Sequence, residues 1–247
     1  MKKIIVLTAF VLSLFSPFIK TGNAEIFRVL SYSSSYPPYS FKEGSSETGI
    51  IRDLFKALAK ETGDIFKFID VPFNRGQYQF DNGKIDIEPM CNPAWRKKSS
   101  VQGLYSIPFA TSDEILLFNA DKYTPTYSPD DLIGKTVGTV RGYSYLVYGP
   151  YFEDGRIRSY PMENDGKLIQ MLVAGRLDQA ILDKEYAQYQ IKKENLQGKL
   201  VAEKPFVAID MMMRVHPDKK DALPRLNKAL QKLISNGTIE GIYDRYR

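Results

Sequence analysis

The hydrophobic period of residues 27–88 switches repeatedly between that of a strand and that of a helix, and this constrains the fold more than any other feature. Residues 27–32 (FRVLSY) alternate as a strand does. Residues 50–62 carry Ile51, Leu54, Phe55 and Leu58 at helical spacing, with Gly63 where a left-handed cap belongs. Residues 65–71 are β-rich again. Asn74 to Gln77 reads as a helix start, weakened by Gly76, and Asn82 and Gly83 close that helix before a third strand over 85–88. The order β-α-β-α-β predicts a mostly parallel sheet with helices packed on its faces.

The third strand leads into residues 84–96, KIDIEPMCNPAWR. Proline cannot continue a sheet ladder, so the strand is expected to stop at Pro89, with Pro93 stiffening a connection that ends on Trp95 and Arg96. In open α/β proteins ligands bind just past the carboxyl ends of the strands. A guanidinium there grips a carboxylate with two parallel bonds and keeps its charge at any accessible pH. Arg96 is therefore a candidate anchor for a carboxylate-bearing small molecule. The plainer alternative is a surface arginine at the head of the basic run Arg96, Lys97, Lys98.

Further along, the alternation starts again. A strong strand covers 115–118, a short helix and turn 130–134, and a strand 136–140. Gly142, Tyr143 and Ser144 read as a glycine turn opening a short helix, whose free N–H groups would suit an anion. A plain turn is the alternative. Strands over 156–162 and 179–182 flank a helix over 164–174, and Asp183 ends the second of these strands. Residues 82–86 (NGKID) and 174–178 (AGRLD) are one device used twice, a glycine helix stop leading into a strand, and suggest two lobes of like construction. A β-like run over 206–215, an amphipathic helix over 222–235 and a last helix over 238–246 finish the chain.

Residues 1–24 have the layout of a secretory signal peptide: Lys2 and Lys3, an apolar run to Phe15, then Gly22, Asn23 and Ala24 before a cleavage point. The formal charge of +5 includes three lysines of this segment, which has no acid, so the remaining chain carries +2. Near neutrality without a long basic run argues against nucleic acid as the partner. One cysteine, Cys91, leaves no internal disulfide and reads as packing. One histidine, His216, in the loop-like Val-His-Pro-Asp, is expected to be exposed. Neither a zinc set, a Ser-His-Asp triad nor a phosphate-binding glycine loop is present, and no cofactor is implied.

From residue 25 onward the chain resembles the type II periplasmic solute-binding proteins of the polar amino-acid group, the receptors of ABC importers. The resemblance lies in Tyr36, Pro37, Pro38 and Tyr39 after the first strand, Gly49 into the first helix, NGKID at 82–86 and Arg96. DDLIGKTVG at 130–138, GRLD at 175–178 and NGTIEGIY at 236–243 complete it. It implies an α/β fold of two lobes, each a mostly parallel sheet flanked by helices, joined by two crossing hinge segments. Lobe one would be 25–111 plus 210–247, and lobe two 112–209. It also implies a monomer in the periplasm, an amino-acid ligand and an inner-membrane ABC permease as partner.

By the same resemblance Arg96 and the N–H groups of Gly142, Tyr143 and Ser144 take the ligand carboxylate, Asp183 takes its α-ammonium, and Tyr39 covers the side chain. Asp183 also reads as a helix cap for Lys184 onward. Glu88 either neutralises a second cationic group of the ligand or pairs with Arg75, Arg96 or another internal base. Tyr36, Tyr39, Trp95 and Phe109 are candidate aromatic walls or core. Met211 to Met213 reads as core. The resemblance leaves open a dehydratase-like or lyase-like enzyme on the same clamp, with Glu88 or Asp183 as general acid or base, and a periplasmic signalling protein. The connector to Arg96 is shorter than is usual in the family.

Overall fold

The computed structural model describes residues 24–32, 35–42 and 44–247; the expected signal peptide lies outside them apart from Ala24. Its first elements are β1 (Ile26–Tyr32), α1 (Ile50–Thr62), β2 (Ile65–Val71), α2 (Phe73–Asp81), β3 (Ile87–Cys91), β4 (Leu104–Tyr105) and β5 (Ala110–Asn119). There follow β6 (Thr136–Val140), α3 (Gly149–Glu153), β7 (Arg158–Met162), α4 (Asp165–Val173), β8 (Gln179–Asp183) and α5 (Lys184–Lys193). β9 (Leu200–Ala202), β10 (Val207–Val215), α6 (Leu223–Ser235) and α7 (Thr238–Asp244) complete the chain. Among the described residues no helix is long and apolar enough to cross a membrane.

The strands order as β2-β1-β3-β10-β5-β8-β6-β7. β1, β2 and β3 run parallel and β10 joins them antiparallel; β6, β7 and β8 run parallel and β5 joins them antiparallel. Each half is thus three parallel strands plus one antiparallel strand, with a short antiparallel strand added to the latter (β4 on β10, β9 on β5), and the halves meet where β10 pairs with β5. In that ladder Thr111 faces Asp210 and Ser112 faces Ile209, so the two expected crossing points lie opposite one another.

The twice-used glycine device precedes β3 and β8, which hold equivalent places in the two halves. Gly83 and Gly175 both take φ of 65°, a left-handed conformation that glycine adopts without strain. Each pair of residues closes its helix with the same bonds: Gly83 N–H to Phe80 O and Lys84 N–H to Gln79 O, Gly175 N–H to Leu172 O and Arg176 N–H to Met171 O.

Both halves have cores of their own, because side chains alternate across each sheet. In the second half Ile115, Leu117 and Leu182 pack under α4 and α5, while Leu116, Phe118 and Ile181 face Tyr148 and Ile157. In the first half Phe27 and Val29 pack under α1, α6 and α7, while Leu30 faces Phe80 and Ile85. Gly76 belongs to this packing: a Cβ there would stand 2.6 Å from a methyl of Leu30. A helix that approaches the sheet so closely needs glycine in its middle.

Four expectations are corrected. β3 does not stop at Pro89 but runs to Cys91, because a bulge sits there: Glu88 faces Arg214 and Cys91 faces Met212, leaving an extra residue on β3. A proline in a bulge has no ladder bond to forfeit. No helix opens at Gly142, Tyr143 and Ser144, since the next helix is α3, beginning at Gly149, and Tyr143 N–H turns back to Val140 O. His216 is buried, its Nδ1 accepting from the N–H of Asp218 to cap a 3-10 turn, its ring against Phe80. Phe109 lies in the first-half core, because its N–H bonds Met211 O and draws the side chain towards α7. Met211 and Met213 are core, and Cys91 is buried, as read from the sequence.

Candidate functional site

A cleft of about 270 Å³ lies between the halves. Its walls are the carboxyl ends of β1, β3, β6 and β8 and the amino ends of α4 and α5. Of the residues singled out in the sequence, Arg96, Asp183, Tyr39, Tyr36, Glu88, Trp95, Gly142, Tyr143 and Ser144 all line it. Phe109 does not.

Glu88 settles into the internal-pair alternative. Arg96 donates Nε to its Oε2 at 3.1 Å and Nη2 to its Oε1, while Arg214 donates Nη1 to Oε2 at 3.0 Å. Tyr32 Oη and Gln77 Nε2 add bonds to Oε1 of 2.7 and 2.8 Å. Burial alone would raise this carboxyl, but the bonds from Arg96 and its charge, with Tyr32 and Arg214 behind them, hold it at about 2. Such a group takes no proton at neutral pH and is not poised as a general acid or base. Arg214 Nη2 also lies 3.5 Å from Asp81 Oδ1, so the two guanidiniums face two carboxylates, and Arg96, not Arg214, is the one that lines the cleft.

Arg214 was missed. It is the penultimate residue of β10, after three methionines, and is fully buried, with Nε on Gln102 O, Nη2 on Val101 O, Nη1 also on Gln77 Oε1 at 2.9 Å, and the Phe80 ring 3.9 Å from its Cζ. The signal was there: one base within the run Met211 to Val215 needs a buried partner. Arg96 is less enclosed. Its Nη1 reaches Trp95 O at 3.3 Å and its Cζ lies 5.5 Å from the Phe73 ring.

At the opposite wall Asp183 does cap α5, accepting from Tyr186 N–H at 2.9 Å. It also accepts from Ser112 Oγ at 2.6 Å and from Tyr39 Oη, which lies 3.0 and 3.1 Å from its two oxygens. Burial pushes its carboxyl above the ordinary aspartate range, and the Ser112, Tyr186 and Tyr39 bonds only partly offset that. Two further acids line this wall, Glu114 and Asp165, both raised to about 7. Burial is the main cause for each, with the charge of Asp183 adding to it. Glu114 was legible only as an acid at the head of an apolar strand, and Asp165 only as a residue next to a helix cap.

Aromatic rings close the cleft across the two halves. Tyr36 stacks on Tyr39 (5.5 Å) and on Tyr186 (4.5 Å, planes 10° apart), and Phe73 meets Tyr143 at 6.1 Å. Trp95 lines the wall beside Arg96 with its Nε1 buried and unpartnered. Among the described residues no group of three or more His, Cys, Asp or Glu is arranged to hold a metal ion.

Two α/β halves hinged on a pair of strands, with a small bipolar cleft between them, define a two-lobed clamp for a small solute, the type II binding-protein architecture. The chain belongs to the bacterial extracellular solute-binding proteins, family 3, whose model matches residues 29–247. It is 24% identical to the arginine-binding extracellular protein ArtP of Bacillus subtilis (strain 168) over 221 residues, 88% of this chain and 85% of that protein. An ancestral arginine-binding protein bound to arginine superposes with a TM-score of 0.75 at 23% identity, covering 90% of this chain and 97% of that one. An ancestral amino-acid-binding protein described as a precursor of cyclohexadienyl dehydratase gives 0.71 at 24% identity, covering 90% and 95%.

Proposed function

We propose that this protein is an exported receptor that closes on one amino acid and delivers it to an inner-membrane ABC importer. The observation that carries this reading is the polarity of the cleft. Arg96, its plane set by Glu88, presents a guanidinium on one wall; Asp183, held by Tyr39 and Ser112, presents a carboxylate on the other. A zwitterion matches both ends, its carboxylate at Arg96 and its ammonium at Asp183, under the stacked rings of Tyr36 and Tyr39. The N–H groups of Gly142 and Ser144 meet the carboxylate from a turn that the Tyr143 N–H closes on Val140 O. Closure is then a population shift driven by a ligand that touches both halves.

The lobes on this reading are 25–111 plus 210–247 and 112–209, removal of residues 1–24 releases the chain to the periplasm, and it acts as a monomer beside its permease. The family and the arginine-binding name of the relative support it. Native mass spectrometry of the protein purified without refolding tests it. A single bound species that is released as an amino acid is expected; release of a sugar or a metal complex instead would overturn the reading.

A further inference from the structure

The cleft contains two buried carboxyl groups that an α-amino and α-carboxyl pair leaves unused. Glu114 lies on β5 two residues beyond Ser112, on the same face of the strand, and directly across the ladder from Asp183. Like charges placed opposite one another on neighbouring strands destabilise a sheet. Glu114 is only 9% exposed, it lines the cleft, and its Oε2 is enclosed without any hydrogen-bond partner. Asp165, 3% exposed in the first turn of α4, receives a bond from its own backbone N–H and, from another residue's side chain, only a long contact from Tyr143 Oη, 3.4 Å from its Oδ2.

Glu88 in the same cleft shows what a structural carboxylate looks like: five hydrogen bonds reach it, three of them from two guanidiniums. Nothing comparable serves Glu114 or Asp165. Of the three bases that line the cleft two are engaged elsewhere, as is Lys184 beside it, and the third, Arg141, is exposed and makes no ion pair with these acids. Arg96 is held by Glu88, Arg52 lies 3.8 Å from Asp70 with its Cζ over Phe68, and Lys184 bonds Asp113 at 3.0 Å. Among the described residues no basic side chain forms an ion pair with Glu114, Asp165 or Asp183, and these acids are not arranged as metal ligands. A buried carboxylate without a counter-charge is costly, and an arriving cation removes that cost.

We propose that Glu114 and Asp165 form a second cation site beside the ammonium site at Asp183, so that the ligand carries two positively charged nitrogen groups. This rests on the receptor reading and narrows it. The chemistry fits a basic amino acid or a free amine with the same two charges. Tyr143 and Tyr186, which flank Asp165 and Gly166, supply ring faces of the kind that accept such groups.

The test is a titration of the ligand-free mature chain with L-arginine, with L-citrulline, which has nearly the same shape without the side-chain charge, and with agmatine, which keeps both charges and lacks the carboxylate. A charge-assisted bond in a buried site predicts arginine tighter than citrulline by about 10- to 100-fold. Glu114→Gln and Asp165→Asn should each shrink that ratio severalfold. Ligand-free Glu114→Gln should also melt higher than the parent, because the repulsion from Asp183 is gone; a purely structural glutamate would melt lower. Agmatine as tight as arginine marks an amine as the ligand, and agmatine much weaker marks a basic amino acid; either supports the second site. Citrulline equal to arginine, or an unchanged ratio in both variants, overturns the site. If glutamine or glutamate binds while none of the three probes does, the second site falls and the receptor reading stands. If no amino acid or amine binds at all, both fall together.

Discussion

Glu88 occupies one edge of the Arg96 guanidinium, with Nε 3.1 Å from Oε2 and a second bond from Nη2 to Oε1, at the point where β3 reaches the cleft. The pairing fixes the plane of the guanidinium, so the edge turned towards the cleft is oriented before a ligand arrives. It also makes the anchor part of the fold: the carboxylate that holds Arg96 is shared with Arg214, whose other bonds tie β10 to α2 and to residues 101 and 102.

Glu88→Ala should destabilise the chain by about 3–5 kcal/mol, because it leaves Arg96 without a carboxylate and Arg214 with only the 3.5 Å contact to Asp81. Urea unfolding at neutral pH measures this. The pH dependence has a definite sign. The folded-state value of about 2 lies below the ordinary 4.5, so the Glu88 contribution is complete above about pH 4.5 and is lost as pH falls towards 2.

Arg96→Ala should remove the ligand-induced rise in melting temperature, and it should also lower the melting temperature of the ligand-free protein, since Arg214 is then the one guanidinium left on Glu88. An arginine that only met the ligand could be truncated without cost to the ligand-free fold; the Glu88 pair makes Arg96 part of that fold. Arg96→Lys keeps the charge but loses the two-pronged geometry, and should retain most of the ligand-free stability while weakening binding. Thermal melts of the three proteins with and without an amino acid separate the effects.

Glu114 and Asp165 act in the opposite direction to Glu88. Both are raised to about 7 in the fold from ordinary values of 4.5 and 3.8. Between about pH 4 and 7 the folded chain therefore binds protons that the unfolded chain releases, and stability falls as pH rises through that window. The ligand-free protein should melt highest near pH 5. A bound cation holds both acids ionised, so the maximum should move to higher pH, and calorimetry near pH 6.5 in buffers of different ionisation enthalpy should show proton release on binding.

The parts of this architecture that depend on local pattern were legible in the sequence. The helical stripe at Leu54, Phe55 and Leu58 (with Ile50 buried in place of Ile51, which lines the cleft), the glycine stops at Gly83 and Gly175, and the place of Arg96 after the third strand reappear in the structure. What was hidden depends on long-range partners. Pro89 stays in β3 because Met212 and Arg214 on a distant strand accommodate a bulge. His216 is buried because Phe80 and Gly83 stand over it. The Glu88–Arg214 pair joins residues 126 positions apart, and Glu114 gains its meaning only from Asp183 across the ladder. The turn at Gly142 misled, since a glycine before a polar residue starts helices and turns alike.

Trp95 offers the most direct measurement, because it is the only tryptophan in the chain and lines the cleft beside Arg96. Its emission should change in a saturable, one-site manner when an amino acid is added to the ligand-free mature protein, and Asp183→Ala should abolish the change. The account is contradicted if no amino acid alters the emission or the melting temperature, or if Asp183→Ala responds as the parent does.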